Sequence, residues 1–311
     1  MKRVILDCDP GHDDAIALFL AAGNPEIEVA AITTVGGNQS LDKVTRNALG
    51  LATLAGLDCP VAAGASRPLV AEPQTAGEIH GESGLDGVVL PSPAMSLDPR
   101  HGAQVIVDTI MSAEPGEITL VPTGPLTNIA LALRLEPAIA ERVAEVSLMG
   151  GGAREGNWSP VAEFNIVVDP EAADAVFSAP WPLTMVGLDA THQALLTGEV
   201  IDRIRALDTD ISRFVVDLFD FFIKTNLTEQ GFPDPPLHDP VALARVIDPS
   251  VTSCKRTPIH VELTGTHTRG MTVTELRPWI EEPASTSVAL GLDADRLWDL
   301  IVDAIDRLGT R

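Results

Sequence analysis

Val4-Ile5-Leu6-Asp7-Cys8-Asp9-Pro10-Gly11-His12-Asp13-Asp14-Ala15-Ile16-Ala17-Leu18-Phe19-Leu20-Ala21-Ala22 is the stretch whose reading decides the fold. The apolar run Val4-Ile5-Leu6 predicts a buried strand, and Ala15 to Ala22 predicts a helix. Pro10 and Gly11 supply the turn between them. Asp7, Asp9, Asp13 and Asp14 therefore cluster at the carboxyl end of a first strand, where open α/β sheets assemble ligand sites. Acids in a helix's first turn complement its dipole and can cap free N–H groups. That accounts for Asp13 and Asp14. It leaves Asp7 and Asp9, whose charges repel unless something positive lies between them. A hard cation held by oxygen atoms relieves the repulsion.

Outward from this turn, strand-like runs alternate with helical patterns. Residues 27–34, 60–62, 117–121, 145–149 and 183–186 predict strands. Residues 41–55, closed by Gly56, predict a helix, as do 100–112, 125–135 and 170–177. Such alternation implies right-handed crossovers. The expected class is α/β: a mainly parallel, Rossmann-like open sheet with helices on both faces. Beyond Gly198 helices dominate, over 199–207, 211–224 and 240–247. Short strands are expected near 259–263 and 271–274, then a last helix over 293–308. We read this as a helical C-terminal addition within one domain spanning 1–311.

Composition narrows the partners. With 311 residues and 45% hydrophobic content, the chain can bury a large core. Its 21 basic and 44 acidic residues give a net charge of −23, which disfavours nucleic-acid backbones and anionic membranes. No stretch has the length of a membrane span, and the N-terminus lacks a signal-like apolar segment, so a cytoplasmic protein is expected. Cys8, Cys59 and Cys254 lie far apart without metal-type spacing, as expected of reduced residues. There is no tyrosine, which excludes a tyrosine-based mechanism.

The segments that end strands are polar and rich in glycine and proline. Thr33 to Asn38 contains Gly36 and Gly37, which let the backbone pass close to a ligand, and Asn38, which can donate and accept; an ordinary turn reads the same way. His80 lies in the long segment Glu78 to Gly84, of a kind often functional. Thr123 leaves the strand at 117–121 and could offer a carbonyl to a hard cation. The plain alternative is a Pro/Gly turn with Thr127 as a helix cap. In Gly156 to Asn165, Asn157, Glu163 and Asn165 supply hydrogen-bonding groups suited to several hydroxyls. In Pro235-Pro236-Leu237-His238-Asp239-Pro240, Asp239 is a helix cap or a cation ligand, and His238 beside it a proton donor.

In this order, these segments resemble the inosine–uridine-preferring nucleoside hydrolases. The motifs are Asp7-Cys8-Asp9-Pro10-Gly11-His12-Asp13-Asp14-Ala15, Thr33 to Asn38, Ile79-His80-Gly81, Thr123 to Asn128, Met149-Gly150-Gly151, Glu163-Phe164-Asn165, His238-Asp239-Pro240 and Thr268 to Val273. The resemblance covers nearly the whole chain. It implies an N-glycosidase that hydrolyses ribonucleosides to ribose and free base with one bound Ca²⁺. The implied ligands are Asp9, Asp14, the Thr123 carbonyl and Asp239, with water and the ribose 2′- and 3′-hydroxyls completing the shell. Asp13 would take a proton from the attacking water. Asp9, Asn38, Met149, Asn157, Glu163, Asn165 and Asp239 would surround the ribose. His80 and His238 would approach the base, with His238, at a near-neutral pKa, as the acid for the leaving nitrogen. Asn226, Gln230 and Phe232 are expected base contacts. His238 points to the pyrimidine-preferring or non-specific branch, acting on uridine, cytidine and inosine. A homodimer or homotetramer is implied. His12 is read as incidental and Thr191-His192 as structural.

The residues support this scheme independently. Glycosidic cleavage passes through an oxocarbenium-like state, so negative charge near the ring helps. Two rivals fit less well. An aspartate-nucleophile phosphatase would share Asp7-x-Asp9, but Pro10-Gly11-His12 and the scarcity of placed lysines argue against it. A non-catalytic Ca²⁺-dependent sugar-binding protein would not need Asp13.

Overall fold

The computed structural model of the chain describes residues 1–280 and 282–310. Its central strand, β1 (Lys2–Cys8), sends Val4, Leu6 and Cys8 into one apolar cluster and Ile5 into another on the opposite face. With both faces covered, the strand needs apolar residues at successive positions, which is why it reads as an unbroken run. The other strands are β2 (Ile27–Thr34), β3 (Val61–Ala63), β4 (Ile118–Pro122), β5 (Glu145–Met149), β6 (Leu183–Val186), β7 (Thr252–Arg256), β8 (Ile259–Val261), β9 (Thr272–Thr274) and β10 (Thr286–Leu292).

The main sheet has the order β3-β2-β1-β4-β5-β6-β10-β7. Its pairs are parallel except β10 with β7. The chain runs outward from β1 to β3, then restarts at β4 on the other side of β1. That reversal is a topological switch point, and it opens a crevice at the strands' carboxyl ends. Register aligns the two sides: Asp7 of β1 lies opposite Thr33 of β2 and Pro122 of β4. Asp9 and Thr123 therefore leave the sheet from neighbouring strand ends.

Helices cover both faces. On one, the helix His12–Gly23 packs against Asp239–Ile247 and Ala294–Gly309. On the other, Gly102–Ser112, Thr127–Leu135 and Pro170–Phe177 enclose the second cluster. Trp181 is fully buried there, and its indole Nε1–H donates to the Val176 carbonyl at 2.9 Å, so no polar group is stranded. Gly56 ends the helix Leu41–Ala55 in the left-handed region at φ +66, where glycine carries no steric penalty.

The parallel α/β sheet expected from the sequence is present, and helices dominate the C-terminal part as expected, but that part also supplies two strands the sequence did not announce. β7 and β10 extend the main sheet, and the last helix joins the core by packing on the first. Both strands lack a readable signal. Thr-Ser-Cys-Lys-Arg of β7 is a largely exposed edge with little apolar alternation, and β10 carries Gly291 and a register break between Ala289 and Gly291. The helix expected over 211–224 runs further, as Asp210–Glu229, started by a reciprocal Thr209–Ser212 capping box. The first helix begins at His12 rather than Ala15.

Gly23 marks where the first and last helices cross. A Cβ there would overlap the Ala304 backbone carbonyl. We expect Gly23→Ala to lower stability by about 1–3 kcal/mol through overpacking, outweighing alanine's better helix propensity of about 1 kcal/mol. Urea unfolding of both proteins measures this, and an unchanged midpoint would contradict so close a crossing.

Candidate active site

Four strand ends supply the floor of the crevice. Asp9 follows β1, Asn38 follows β2, Thr123 follows β4, and Met149 ends β5. Asp13 and Asp14 stand in the first turn of the helix His12–Gly23. Asp239 opens the helix Asp239–Ile247, ahead of Pro240. Carboxylate oxygens of Asp13, Asp14 and Asp239 lie within 4.8 Å of one another, all buried. Asp14 Oδ1 accepts from Thr123 Oγ1 at 2.8 Å and its Oδ2 from the Gly11 amide at 3.0 Å. Asp9 lies deeper: its Oδ2 accepts from the Asn38 amide at 2.6 Å, and its carboxylate is enclosed so tightly that a Cβ at Gly37 or Gly124 would collide with it.

Above this floor, Asn165 Nδ2 donates to the Thr123 carbonyl at 2.8 Å and more weakly to the Met149 carbonyl at 3.3 Å. Glu163 caps the helix Phe164–Val168, accepting from the amides of Asn165, Ile166 and Gly151 at 3.0, 3.3 and 2.9 Å. Asn157 Oδ1 accepts from the Phe164 amide at 3.0 Å. Asp13, Asn38, Thr123, Met149, Asn157, Glu163, Asn165 and Asp239 line one cavity. Ala76, Ile79, His80, Phe222, Asn226, Gln230 and His238 line the same cavity. Phe222, Asn226 and Gln230 recur every four residues along the helix Asp210–Glu229 and its cap, so one helix face presents all three.

Electrostatics mark the floor as incomplete by itself. Among the described residues, the buried side-chain oxygens without a hydrogen-bond partner are Asp7 Oδ2, Asp9 Oδ1 and Asp13 Oδ1. Burial, then the charge of Asp14, pushes Asp9 well above the usual carboxylate range. Burial, then the charge of Asp13, raises Asp14 to about 7 and Asp239 well above its usual value. Stranded oxygens beside crowded, destabilised carboxylates suit a hard cation, and the oxygens of Asp13, Asp14 and Asp239 are close enough to share one. Burial raises Glu163 to about 7. Desolvation lowers His80 and His238 to about 4.

Not every expectation survives. The near-neutral His238 does not: desolvation lowers it to about 4, which favours the neutral imidazole. Phe232 is not among the cavity-lining residues, and its ring faces His192 at 6.2 Å. Thr191 is more than structural, since its Oγ1 hydrogen-bonds His238 Nδ1 at 2.8 Å. His12 is fully buried against His80, not incidental. Trp158, which meets Phe164 edge-to-face at 5.2 Å at the mouth, and Phe222 also escaped the sequence reading. An aromatic residue in a loop or apolar helix is indistinguishable from ordinary packing until its neighbours are known. Asp7 faces away from the chemistry, accepting from Thr33 Oγ1 at 2.5 Å and Asn128 Nδ2 at 2.8 Å.

Fold and site together define an α/β enzyme with an acidic pocket at its topological switch point. The family described as "Inosine-uridine preferring nucleoside hydrolase" matches residues 4–299. The chain is 53% identical over 310 residues to the inosine-uridine preferring nucleoside hydrolase of Crithidia fasciculata, covering 99% of this chain and 98% of that one. It is 44% identical over 307 residues to the pyrimidine-specific ribonucleoside hydrolase RihA of Photobacterium profundum, covering 98% of each. The structure of a purine-preferring ribonucleoside hydrolase from Gardnerella vaginalis superposes with a TM-score of 0.92 at 33% identity, covering 99% of each chain. The chain belongs to the inosine-uridine preferring nucleoside hydrolase family and is a ribonucleoside hydrolase. No helix among the described residues is long and apolar enough to cross a membrane.

The raised carboxyls give the cation-free protein a definite pH response. Asp14 and Glu163 hold protons up to about 7 when folded and release them from 3.8 and 4.5 when unfolded. Asp7, Asp9 and Asp239 are raised as well, and these five carboxyls outweigh His12, His80 and His238, which desolvation lowers and which pull the opposite way, so the folded state binds more protons in that window and stability falls as pH rises through it. Thermal unfolding of chelator-treated protein should show a lower Tm at pH 7 than at pH 5. Added divalent cation should raise Tm most at the upper end. A Tm that climbs with pH in chelator would refute this electrostatic account.

Proposed function

We propose that the enzyme hydrolyses the N-glycosidic bond of ribonucleosides with Ca²⁺ as its metal, acting on uridine, cytidine and inosine. The observation that carries this reading is the lining of one cavity, which brings buried carboxylates, side-chain amides, an aromatic ring and two histidines into one space. A nucleoside calls for the same set, polar groups for the hydroxyls of the sugar and flat or polar groups for a base. The preference is supported by relatives at 53% and 44% identity, named inosine-uridine preferring and pyrimidine-specific.

Asp9, Asp14, the Thr123 carbonyl and Asp239 would hold the cation. When bound, it supplies Lewis acidity toward water and the ribose 2′- and 3′-hydroxyls. Asp13 takes the proton of the attacking water; its Oδ1 has no protein partner and is free to accept. Asn38, Met149, Asn157, Glu163 and Asn165 surround the ribose. Their carbonyls and carboxylate favour the positive charge that develops as the C–N bond breaks. His238, neutral in this setting, offers an N–H to the leaving nitrogen. A neutral imidazole can serve in that way without first becoming charged. The tautomer that serves this role has Thr191 Oγ1 donating to Nδ1 across their 2.8 Å contact, with the proton on Nε2. His80, Asn226 and Gln230 meet the base.

We also infer one domain over residues 1–311, supported by the last helix packing on the first. A homodimer or homotetramer is what the family resemblance implies.

A nucleoside panel followed by chromatography tests the activity, with free base expected from uridine and inosine without phosphate. Release from no ribonucleoside sinks the reading. Asp13→Ala should lower kcat by roughly 10²–10⁴-fold and leave the fold intact by circular dichroism. Wild-type kcat in that variant would remove Asp13 as the base. His238→Ala should cost more with poor leaving groups than with an activated aryl riboside, and equal losses would remove its role at the leaving nitrogen.

A further inference from the structure

Asp189 is a buried carboxylate that the mechanism above does not use. Its side chain is 1% exposed, whereas that of its ion-pair partner Arg154 is 59% exposed. Asp189 Oδ2 accepts from the Ala153 amide at 2.6 Å, and its Oδ1 accepts from Arg154 Nη1 at 3.0 Å. One turn on, His192 Nδ1 lies 2.9 Å from Glu155 Oε1; a carboxylate only accepts, so the imidazole donates. The Leu188 amide donates to the Gly151 carbonyl at 2.9 Å. The segment from Gly151 to Glu155 is thus fastened, step by step, along the short helix Leu188–Thr191 and its cap His192. Among the described residues, 153–155 make their hydrogen bonds to Asp189 and His192. The helix is itself anchored. Gln193 Nε2 donates to the Asp189 carbonyl at 2.6 Å and to the Leu290 carbonyl at 3.3 Å, and Gln193 Oε1 accepts from the Leu292 amide at 3.2 Å, which ties the helix to β10.

The fastened segment leads directly into Asn157 and Trp158, which line the cavity. Asn157 Oδ1 accepts from the Phe164 amide at 3.0 Å. An N–H can meet only the oxygen end of that side chain, so the Asn157 Nδ2 hydrogens are the ones left for a ligand oxygen. Burying a carboxylate is costly unless it is well hydrogen-bonded, and an exposed arginine offsets little of that cost. The short contact to the Ala153 amide is therefore the structural use of Asp189. We propose that Asp189 is a positioning residue: with His192 it holds residues 153–155 on the helix Leu188–Thr191, so that Asn157 meets the ribose in a fixed orientation. Thr191, in the same helix, contacts His238 Nδ1 at 2.8 Å. One short helix then holds both a ribose contact and the histidine at the leaving nitrogen. The catalytic half of this inference rests on the nucleoside reading; the hold on the loop does not.

Hydrogen–deuterium exchange of the full chain in Ca²⁺ tests the hold, and uridine kinetics test its consequence. In Asp189→Ala, peptides covering 153–164 should exchange about 10-fold faster than in the wild type, as expected when a hydrogen bond that limits local opening is lost. Unchanged exchange there overturns the proposal. The same variant should lose about 10-fold in kcat/KM for uridine, but less than about 3-fold when Asn157 is already alanine, because a residue acting through Asn157 then has little left to disturb. Equal losses in the two backgrounds overturn the positioning role. Asp189→Asn keeps an oxygen for the Ala153 amide and should recover most of the activity; a loss as large as that of Asp189→Ala overturns the assignment of that contact. If Asp189→Ala does not fold, Glu155→Ala, at a side chain 52% exposed, removes the His192 contact instead. It should cost about 3-fold in kcat/KM and nearly nothing in Asn157→Ala, and additive losses again overturn the role. Absence of any nucleoside hydrolysis by the wild type counts against the proposed function and leaves the exchange result to decide the hold.

Discussion

The structure depends on keeping several carboxylates together, out of water, at the switch point between β1 and β4. Buried like charges within 4.8 Å are unfavourable unless a cation or a proton lies among them. Much of the surrounding architecture manages that constraint. Thr123 and Gly11 donate to Asp14, Asn38 donates to Asp9, and Gly37 and Gly124 leave space in which only a residue without a Cβ fits. Asp7 is separated from the group by Thr33 and Asn128, and Asn128 in turn accepts from the Ala65 amide at 2.8 Å and ties β2's end to the same network. Three oxygens still lack protein partners. Of the four buried side-chain atoms without a partner among the described residues, Asp9 Oδ1 and Asp13 Oδ1 lie at this floor, as expected of groups kept for a ligand rather than for stability.

The same constraint shapes the residues around the floor. Glu163 can be buried because three backbone amides at a helix start and the neighbouring loop donate to it. The histidines of the cavity are desolvated and neutral, so they act through the direction of their N–H bonds rather than through charge. Each ring has a partner outside the cavity, the Thr191 hydroxyl at His238 Nδ1 and the His12 backbone N–H donating to His80 Nδ1.

Related enzymes at this fold are named for purine, pyrimidine and mixed preferences. The division of labour within the cavity shows how one scaffold accommodates that. One part of its lining comes from strand ends and helix starts, whose positions the sheet dictates. The other part comes from the helix carrying Phe222, Asn226 and Gln230 and from the loop carrying His80, joined where Thr225 Oγ1 donates to the Ile79 carbonyl at 2.9 Å.

The sequence by itself determined the parallel α/β class, the first turn as the acidic centre, and the set of strand-end loops that meet there. These follow from local rules: apolar runs buried on both faces, Pro and Gly at turns, and carboxylates too close to be idle. Only the tertiary structure decided the rest. It placed β7 and β10 in the main sheet, because an exposed edge and a bulged strand carry little local pattern. It made His238 neutral, because desolvation depends on what packs around a ring and not on its sequence neighbours. It turned His12 from a bystander in the turn into the partner of His80, residues 68 positions apart. Side chains so far apart meet only when the chain is folded, so no spacing in the sequence could have announced it.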